Sequence, residues 1–290
     1  MPKQYADIVW NPAHHRSNGE KQPAVCGLQD IDYQVPAAVR GIDMLLAKFR
    51  GESYRSEVCI SPSQEVPMPT LSKKLSEAKI AFVTDGGLVT RGNPDNMTPV
   101  GSDKFCIYSF LGKDTLMPEE YEVSHQGYDN KYVTEDPNRL VPLDAARKAE
   151  TAGRIRKVSD TFYSTAGVMV SVENSQEFGR KIAVSLRESE TDGVILTSTC
   201  GTSSRCGAYI ACEIERVGIP VVHVTNLTQI SEWAGCSRIL RGNNISHVFG
   251  RPELPPEQEY EWRERLFNKA LELLASVPDD NSCLIVNMEQ

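Results

Sequence analysis

Cys200, Arg205 and Cys206 stand close together in the run Thr197-Ser198-Thr199-Cys200-Gly201-Thr202-Ser203-Ser204-Arg205-Cys206-Gly207. A cysteine attacks as its thiolate, and a helix N-terminus or a nearby cation favours that form. The run offers both. With Ser203 as N-cap, a helix starting near Ser204 turns its first amides back toward Cys200, and Arg205 adds positive charge. Each effect is worth about 1 kcal/mol at a surface, so a reactive thiol needs several of them together. On spacing alone, Cys200 fits a nucleophile and a small buried hydrophobe equally well. Cys200, Cys206 and Cys212 recur at intervals of six. On a helix each is turned about 240° from the last, so they do not share a metal-binding face. No CxxC occurs, and no metal site is predicted.

The elements around this run must place it. Asp192-Gly193-Val194-Ile195-Leu196 reads as a buried strand over 193–198, followed by a helix to Val217 with Ile210, Ile214 and Val217 on one side, a stop at Gly218, and a strand over 220–224. This is a βαβ unit, whose strands are parallel and whose crossover is right-handed. An amphipathic helix with Phe178, Ile182, Ala183 and Leu186 precedes it, and Asn174 with Glu177 resembles a capping box. A second apolar strand, 79–84, ends in Asp85-Gly86-Gly87. Glycines there either bring backbone amides up to an anion or simply make a tight turn. Ligands of open parallel sheets sit off the carboxyl ends of strands, where both Cys200 and Asp85 fall. The fold predicted is α/β, a parallel-sheet Rossmann-like architecture in two lobes. Residues 1–75 form an arm, an amphipathic helix at 36–49 and a Pro-rich linker at 61–70; 76–170 form the first lobe, 171–278 the second, and 279–290 a tail. His125 and His247 lie in polar loops that border such a site.

Composition narrows the classes. A chain of 290 residues with net charge −8 does not suit a broad nucleic-acid surface. No apolar run reaches the roughly 18 residues of a membrane span, and the start lacks a signal peptide's basic and apolar regions. A cytoplasmic setting is expected, with the eight cysteines mostly free thiols. The arm carries Trp10 and the pair His14-His15, read as solvated loop.

The Cys200 run resembles the active-site segment of the selenoprotein B family, the selenocysteine subunits of glycine, sarcosine, betaine and D-proline reductases. Ala78 to Val89, Gly92-Asn93-Pro94-Asp95, Gly127-Tyr128-Asp129-Asn130, Glu135-Asp136-Pro137 and Gly218 to His223 are similar too, over roughly 36–254. Cys200 lies where those proteins carry selenocysteine. The resemblance implies reductive cleavage of a carbon–nitrogen bond next to a carboxylate, in a small carboxylated amine or betaine; a C–S bond is the variant. It implies Cys200 as nucleophile and Cys206 as a candidate resolving thiol; by its chemistry a histidine, His247 or His125, is expected to deliver the proton. Substrate binding would fall to Asp85, Gly86, Gly87, His125, Ser203 and Arg205. No cofactor of the chain's own is implied. A pyruvoyl group is expected on a partner subunit, with a thioredoxin-type electron donor and an oligomeric assembly. Two departures stand out: sulfur replaces selenium, and Ser203 stands where glycine-reductase members have a further cysteine, which favours a natural sulfur form. A non-catalytic binding subunit and a thiol–disulfide exchange protein are the alternative readings.

Overall fold

The computed structural model describes residues 32, 34–54, 66–277 and 283–288. Trp10, His14, His15, Cys26, Cys59 and linker residues 61–65 lie outside them. The chain divides into two compact units at Pro62. In the first, α1 (Ala37–Phe49) is the helix that its apolar spacing predicts.

The second unit runs β1 (Lys79–Thr84), β2 (Leu88–Thr90), β3 (Cys106–Ser109), β4 (Tyr121–Val123), α2 (Lys131–Glu135), α3 (Leu143–Thr151), β5 (Lys157–Ser164), α4 (Val172–Glu188), β6 (Gly193–Thr197), α5 (Gly201–Arg216), β7 (Val221–Thr225), α6 (Thr228–Ala234), β8 (Arg238–Arg241), α7 (Pro256–Ala275) and β9 (Leu284–Val286). In β1, Ile80 and Phe82 enter one core while Ala81 and Val83 enter the other. A strand buried on both faces reads as a continuous apolar run for this reason. One core takes α3 and α7, and the other takes α4 and α5. The result is a sheet with helices on both sides. Phe82 packs against Phe110 and Phe267 at centroid distances of 6.1 and 5.9 Å; its truncation to alanine would cost about 3–5 kcal/mol.

The strand order is β3-β5-β1-β6-β7-β8-β9, with β3 antiparallel to β5 and the remaining pairs parallel. This is the mostly parallel, Rossmann-like α/β architecture expected. It differs from the expectation in one respect. Residues 76–170 and 171–278 build one sheet rather than two lobes, because β1 pairs with β5 on one edge and β6 on the other. The last residues add β9 to the same sheet, against β8. The chain's progress across the sheet reverses between β1 and β6, so the topological switch point lies there, and the crevice beyond their carboxyl ends is where such sheets hold ligands.

Two helix starts fall three residues before their predicted positions. At α4 the N-cap is Ser171, whose Oγ accepts from the Asn174 amide at 3.1 Å. Asn174 itself sits in the first turn, so both local patterns were plausible and the earlier hydroxyl wins. At α5 the N-cap is Cys200, not Ser203.

Candidate functional site

The two strands at the switch point end differently. After β1, Asp85 donates its amide to the Thr197 carbonyl (3.1 Å), Gly86 to the Thr84 hydroxyl (3.1 Å) and Gly87 to the Thr165 carbonyl (2.9 Å). The amides expected to receive an anion are therefore engaged. The glycines serve close packing instead. A Cβ at Gly86 would lie 2.6 Å from Leu140, and Gly87 has φ +72° with the Ser124 carbonyl against it. Asp85 is also withdrawn from any substrate, being wholly buried. Its carboxylate accepts from Ser198 Oγ, which pairs with His223 Nε2 at 2.6 Å, and His223 Nδ1 pairs with Ser231 Oγ at 2.9 Å. Burial pushes the Asp85 carboxyl well above the usual range, against hydrogen bonds from Ser198 and from the Thr199 and Gly207 backbone that pull it down. Burial lowers His223 to about 3. The Asp85 to Ser231 chain is a buried polar network behind the site, with Asp85 Oδ1 left without a partner among the described residues, and a histidine within the apolar strand Val221-Val222-His223-Val224 was its sequence signal.

After β6 the chain turns directly into α5, with Cys200 in the N-cap position and its carbonyl accepting from Ser204 at 2.8 Å. Thr202, Ser203 and Ser204 favour caps and turns over helix interiors, which is why a later start is predicted. Here their hydroxyls are held by tertiary partners. Thr202 Oγ1 accepts from the Met169 amide (3.2 Å), Ser203 Oγ meets His125 Nε2 (2.7 Å), and Ser204 Oγ meets Thr225 Oγ1 (2.8 Å). Cys200 Sγ lies 3.7 Å from Thr202 Oγ1 and donates to Ser203 Oγ at 3.4 Å. The sulfur thus sits at a helix N-terminus, between two hydroxyls, with the positive end of a helix dipole beneath it.

The loop after β4 covers this sulfur. A Cβ at Gly127 would lie 2.7 Å from Sγ and 2.8 Å from His125 Cε1, so only glycine fits there. The Gly127 amide donates to His125 Nδ1 at 3.0 Å. Burial lowers His125 to about 4, which keeps the ring neutral at pH 7. Tyr128 lies beside it at a ring distance of 4.8 Å and donates to the Gly86 carbonyl at 2.9 Å. Burial, then the Asp85 and Cys200 charges, push its phenol well up.

The structure brings Cys200, Ser203 and His125 together, and sets Asp85 just behind them. It does not gather the other expected residues. Arg205 Nη2 donates to the Val170 carbonyl at 2.9 Å, so that donor is engaged within the fold. Cys206 is buried in α5, and burial raises its thiol further. Six helical residues rise about 9 Å, beyond the roughly 7 Å Cα separation a disulfide can bridge. Cys206 therefore cannot close on Cys200 while α5 is intact, which corrects its expected role as resolving thiol. His247 packs against Tyr132 at a ring distance of 4.7 Å, tilted by 53°, and pairs with Ser246 Oγ at 2.8 Å, in the loop after β8. No hydrogen bond or ring contact among the described residues joins it to Cys200.

Sequence reasoning passed over Thr202 and a recess beside α5. The recess is about 450 Å³ and is lined in part by Leu227, Ile230, Trp233 and Arg241. Leu227 and Ile230 also face Gly201, at 3.8 Å from where its Cβ would be. Arg241 makes no side-chain hydrogen bond or ion pair among the described residues. These residues come from the start and body of α6 and from the end of β8, distant from Cys200 in sequence, and no local pattern marks them.

The model of the glycine/sarcosine/betaine reductase selenoprotein B family matches residues 27–199, ending at the residue before Cys200. The chain belongs to that family. It is 43% identical over 239 residues to the glycine reductase complex component B subunit gamma of Carboxydothermus hydrogenoformans, covering 82% of this chain and 55% of the relative. It is 37% identical over 243 residues to the sarcosine reductase complex component B subunit beta of Peptoclostridium acidaminophilum, covering 84% and 56%. It is 27% identical over 188 residues to the D-proline reductase subunit gamma of Acetoanaerobium sticklandii, covering 64% and 76%. The chain spans about half the length of the glycine and sarcosine reductase relatives. No solved structure matches it. Among the described residues no helix is long and apolar enough to cross a membrane.

Proposed function

We propose that this chain is the thiol-bearing subunit of a reductase complex acting on a small carboxylated amine or betaine. The observation that carries the reading is Cys200 as the N-cap of α5 at the switch point of the sheet, its sulfur facing two hydroxyls. In the reaction, the Cys200 thiolate attacks the carbon next to the carboxylate. A C–S bond forms, and the C–N electron pair leaves with the nitrogen, which takes a proton. A pyruvoyl carbonyl on a partner subunit would draw electrons from that nitrogen. A dithiol donor of thioredoxin type then supplies the two electrons that release the carbon from sulfur as C–H. The guanidinium of Arg241, without a side-chain partner among the described residues, supports that residue as the cation for the carboxylate, in place of Arg205. Arg241→Gln is expected to raise KM about tenfold, the cost of roughly one charged hydrogen bond.

The test is peptide mass spectrometry after turnover in the reconstituted complex. An adduct on Cys200 supports the reading, and a Cys200→Ala protein with full activity sinks it. One observation favours a second reading, a binding subunit without chemistry: Cys200 is only 9% exposed beneath Gly127. Under that reading iodoacetamide would alkylate Cys200 no faster in the native fold than in an unfolded peptide.

A further inference from the structure

The geometry points to His125 as a fixed hydrogen-bond donor to the sulfur site through Ser203, a positioning residue, and not as the base that takes the Cys200 proton. This rests on the reading of Cys200 as nucleophile. The tautomer of His125 is set by Gly127. Its amide can only donate, and it donates to His125 Nδ1 at 3.0 Å. In the neutral ring the proton then sits on Nε2, so Nε2–H donates to Ser203 Oγ at 2.7 Å. Ser203 has its own hydrogen left. While Cys200 is a thiol, S–H donates to Ser203 Oγ, which has a lone pair for each incoming donor. When the thiol proton leaves to water, rotation of the Ser203 hydroxyl turns its hydrogen to the sulfur, and no proton moves along the chain.

Thr202 repeats the arrangement on the other side. Its Oγ1 already accepts from the Met169 amide, which leaves its hydrogen for Sγ. Met169 holds φ +59° to present that amide, a strained conformation for a residue with a side chain. Both hydroxyls that face the sulfur are thus supplied by N–H groups whose direction the fold fixes. The titratable and charged groups about the site are His125 and Tyr128 from the loop after β4, Asp85 after β1, and Arg205 and Cys206 on α5. Of these, His125 alone reaches a hydroxyl that contacts Sγ. An imidazole locked as an Nε2–H donor has no lone pair toward Cys200. The expectation that His125 delivers protons as an acid–base group gives way to a static role, like the donors of an oxyanion hole.

The experiment measures iodoacetamide alkylation of Cys200 by mass spectrometry from pH 5 to 9 in the full chain. Variants are His125→Gln, His125→Phe and Ser203→Ala, with circular dichroism as the check on folding. A glutamine side chain reaches the Nε2 position with an N–H and does not titrate. His125→Gln should keep the wild-type rate at pH 7 within about threefold, while His125→Phe and Ser203→Ala slow it at least about tenfold, as expected for loss of a hydrogen bond to an anion. Equal slowing by Gln and Phe would overturn the proposal, because it would mean that titration matters. So would the absence of any effect from Phe and Ser203→Ala. Nitrogen NMR of labelled histidine in the wild-type chain gives an independent reading: protonated Nε2 supports the assignment and protonated Nδ1 overturns it. A Cys200 that resists alkylation in every form defeats the nucleophile reading, and the tautomer still decides the role of His125.

Discussion

Asp85-Gly86-Gly87 and Thr199-Cys200-Gly201 are both glycine-bearing exits from parallel strands, on either side of one switch point. They do opposite things. The first exit faces inward: its three amides are bonded within the fold, its carboxylate is buried, and its glycines exist because backbone and Leu140 press on them. The second opens a 16-residue helix with a thiol at its N-cap. A glycine after a strand signals close approach of something, and here that is as often the protein itself as a ligand. What separates the exits is that the first has its amides and its carboxyl group taken up by the fold, whereas the second places a thiol at the start of a helix.

The contrast can be tested with four sets of variants. Gly207 lies on α5 where it touches the inward network, and a Cβ there would collide with Ser198 Oγ and Asp85 Oδ2. Gly207→Ala should destabilise by about 3 kcal/mol or more in urea unfolding, the upper range for overpacking. A cost under 1 kcal/mol would show the network to be loose. The pH dependence of stability comes next. His125 and His223 fold with values near 4 and 3, below their unfolded 6.5. Below pH 6.5 the unfolded chain binds more protons, so stability falls with acid from about pH 6.5 down to those values, by on the order of 3 kcal/mol for His125 and about 5 kcal/mol for His223. His125→Gln should remove one share of that loss. Asp85 has the opposite sign. Its raised folded value makes the native state bind the extra proton above pH 3.8, so its contribution falls as pH rises. Asp85→Asn should gain stability relative to wild type between pH 4 and 7, and an unchanged difference would contradict the burial argument.

Smaller effects belong to the open exit. Gly127→Ala puts a methyl 2.7 Å from Sγ. It should slow Cys200 alkylation at least about tenfold and destabilise by about 1–2 kcal/mol, within the range for overpacking. Gly201→Ala meets only Leu227 and Ile230 at ordinary contact, 3.8 Å. It should be neutral or stabilising by about 0.5 kcal/mol, through lower chain entropy in the unfolded state. A large loss there would mean that the first turn of α5 is more confined than its contacts indicate.

The sheet was largely legible because its strands are buried on both faces and carry uninterrupted apolar runs. β1, β6 and β7 with the helices around them follow from that pattern. What the pattern does not carry is which strands become neighbours. The single sheet depends on β1 accepting partners on both edges, a fact of three-dimensional order. Of the candidate site, Cys200, Ser203 and His125, which the structure brings together, were legible by residue type. The site was not legible at Thr202, which no spacing sets apart from its neighbours, or at Gly127, where the missing side chain is what matters. Arg205 and Cys206 sit near Cys200 in sequence, but α5 points one toward Val170 and buries the other. Along a helix, sequence neighbours are dealt to different sides.

The rigidity of α5 has a consequence for electron flow. Cys200 and Cys206 ride on one helix at a fixed separation, so this pair cannot give up two electrons by closing a disulfide. Once Cys200 has lost its reducing equivalents, they have to come from outside α5. In the proposed cycle, with reductant drawn from a second molecule, the recovery half follows collision kinetics: its rate should climb linearly with donor concentration and level off only when docking saturates.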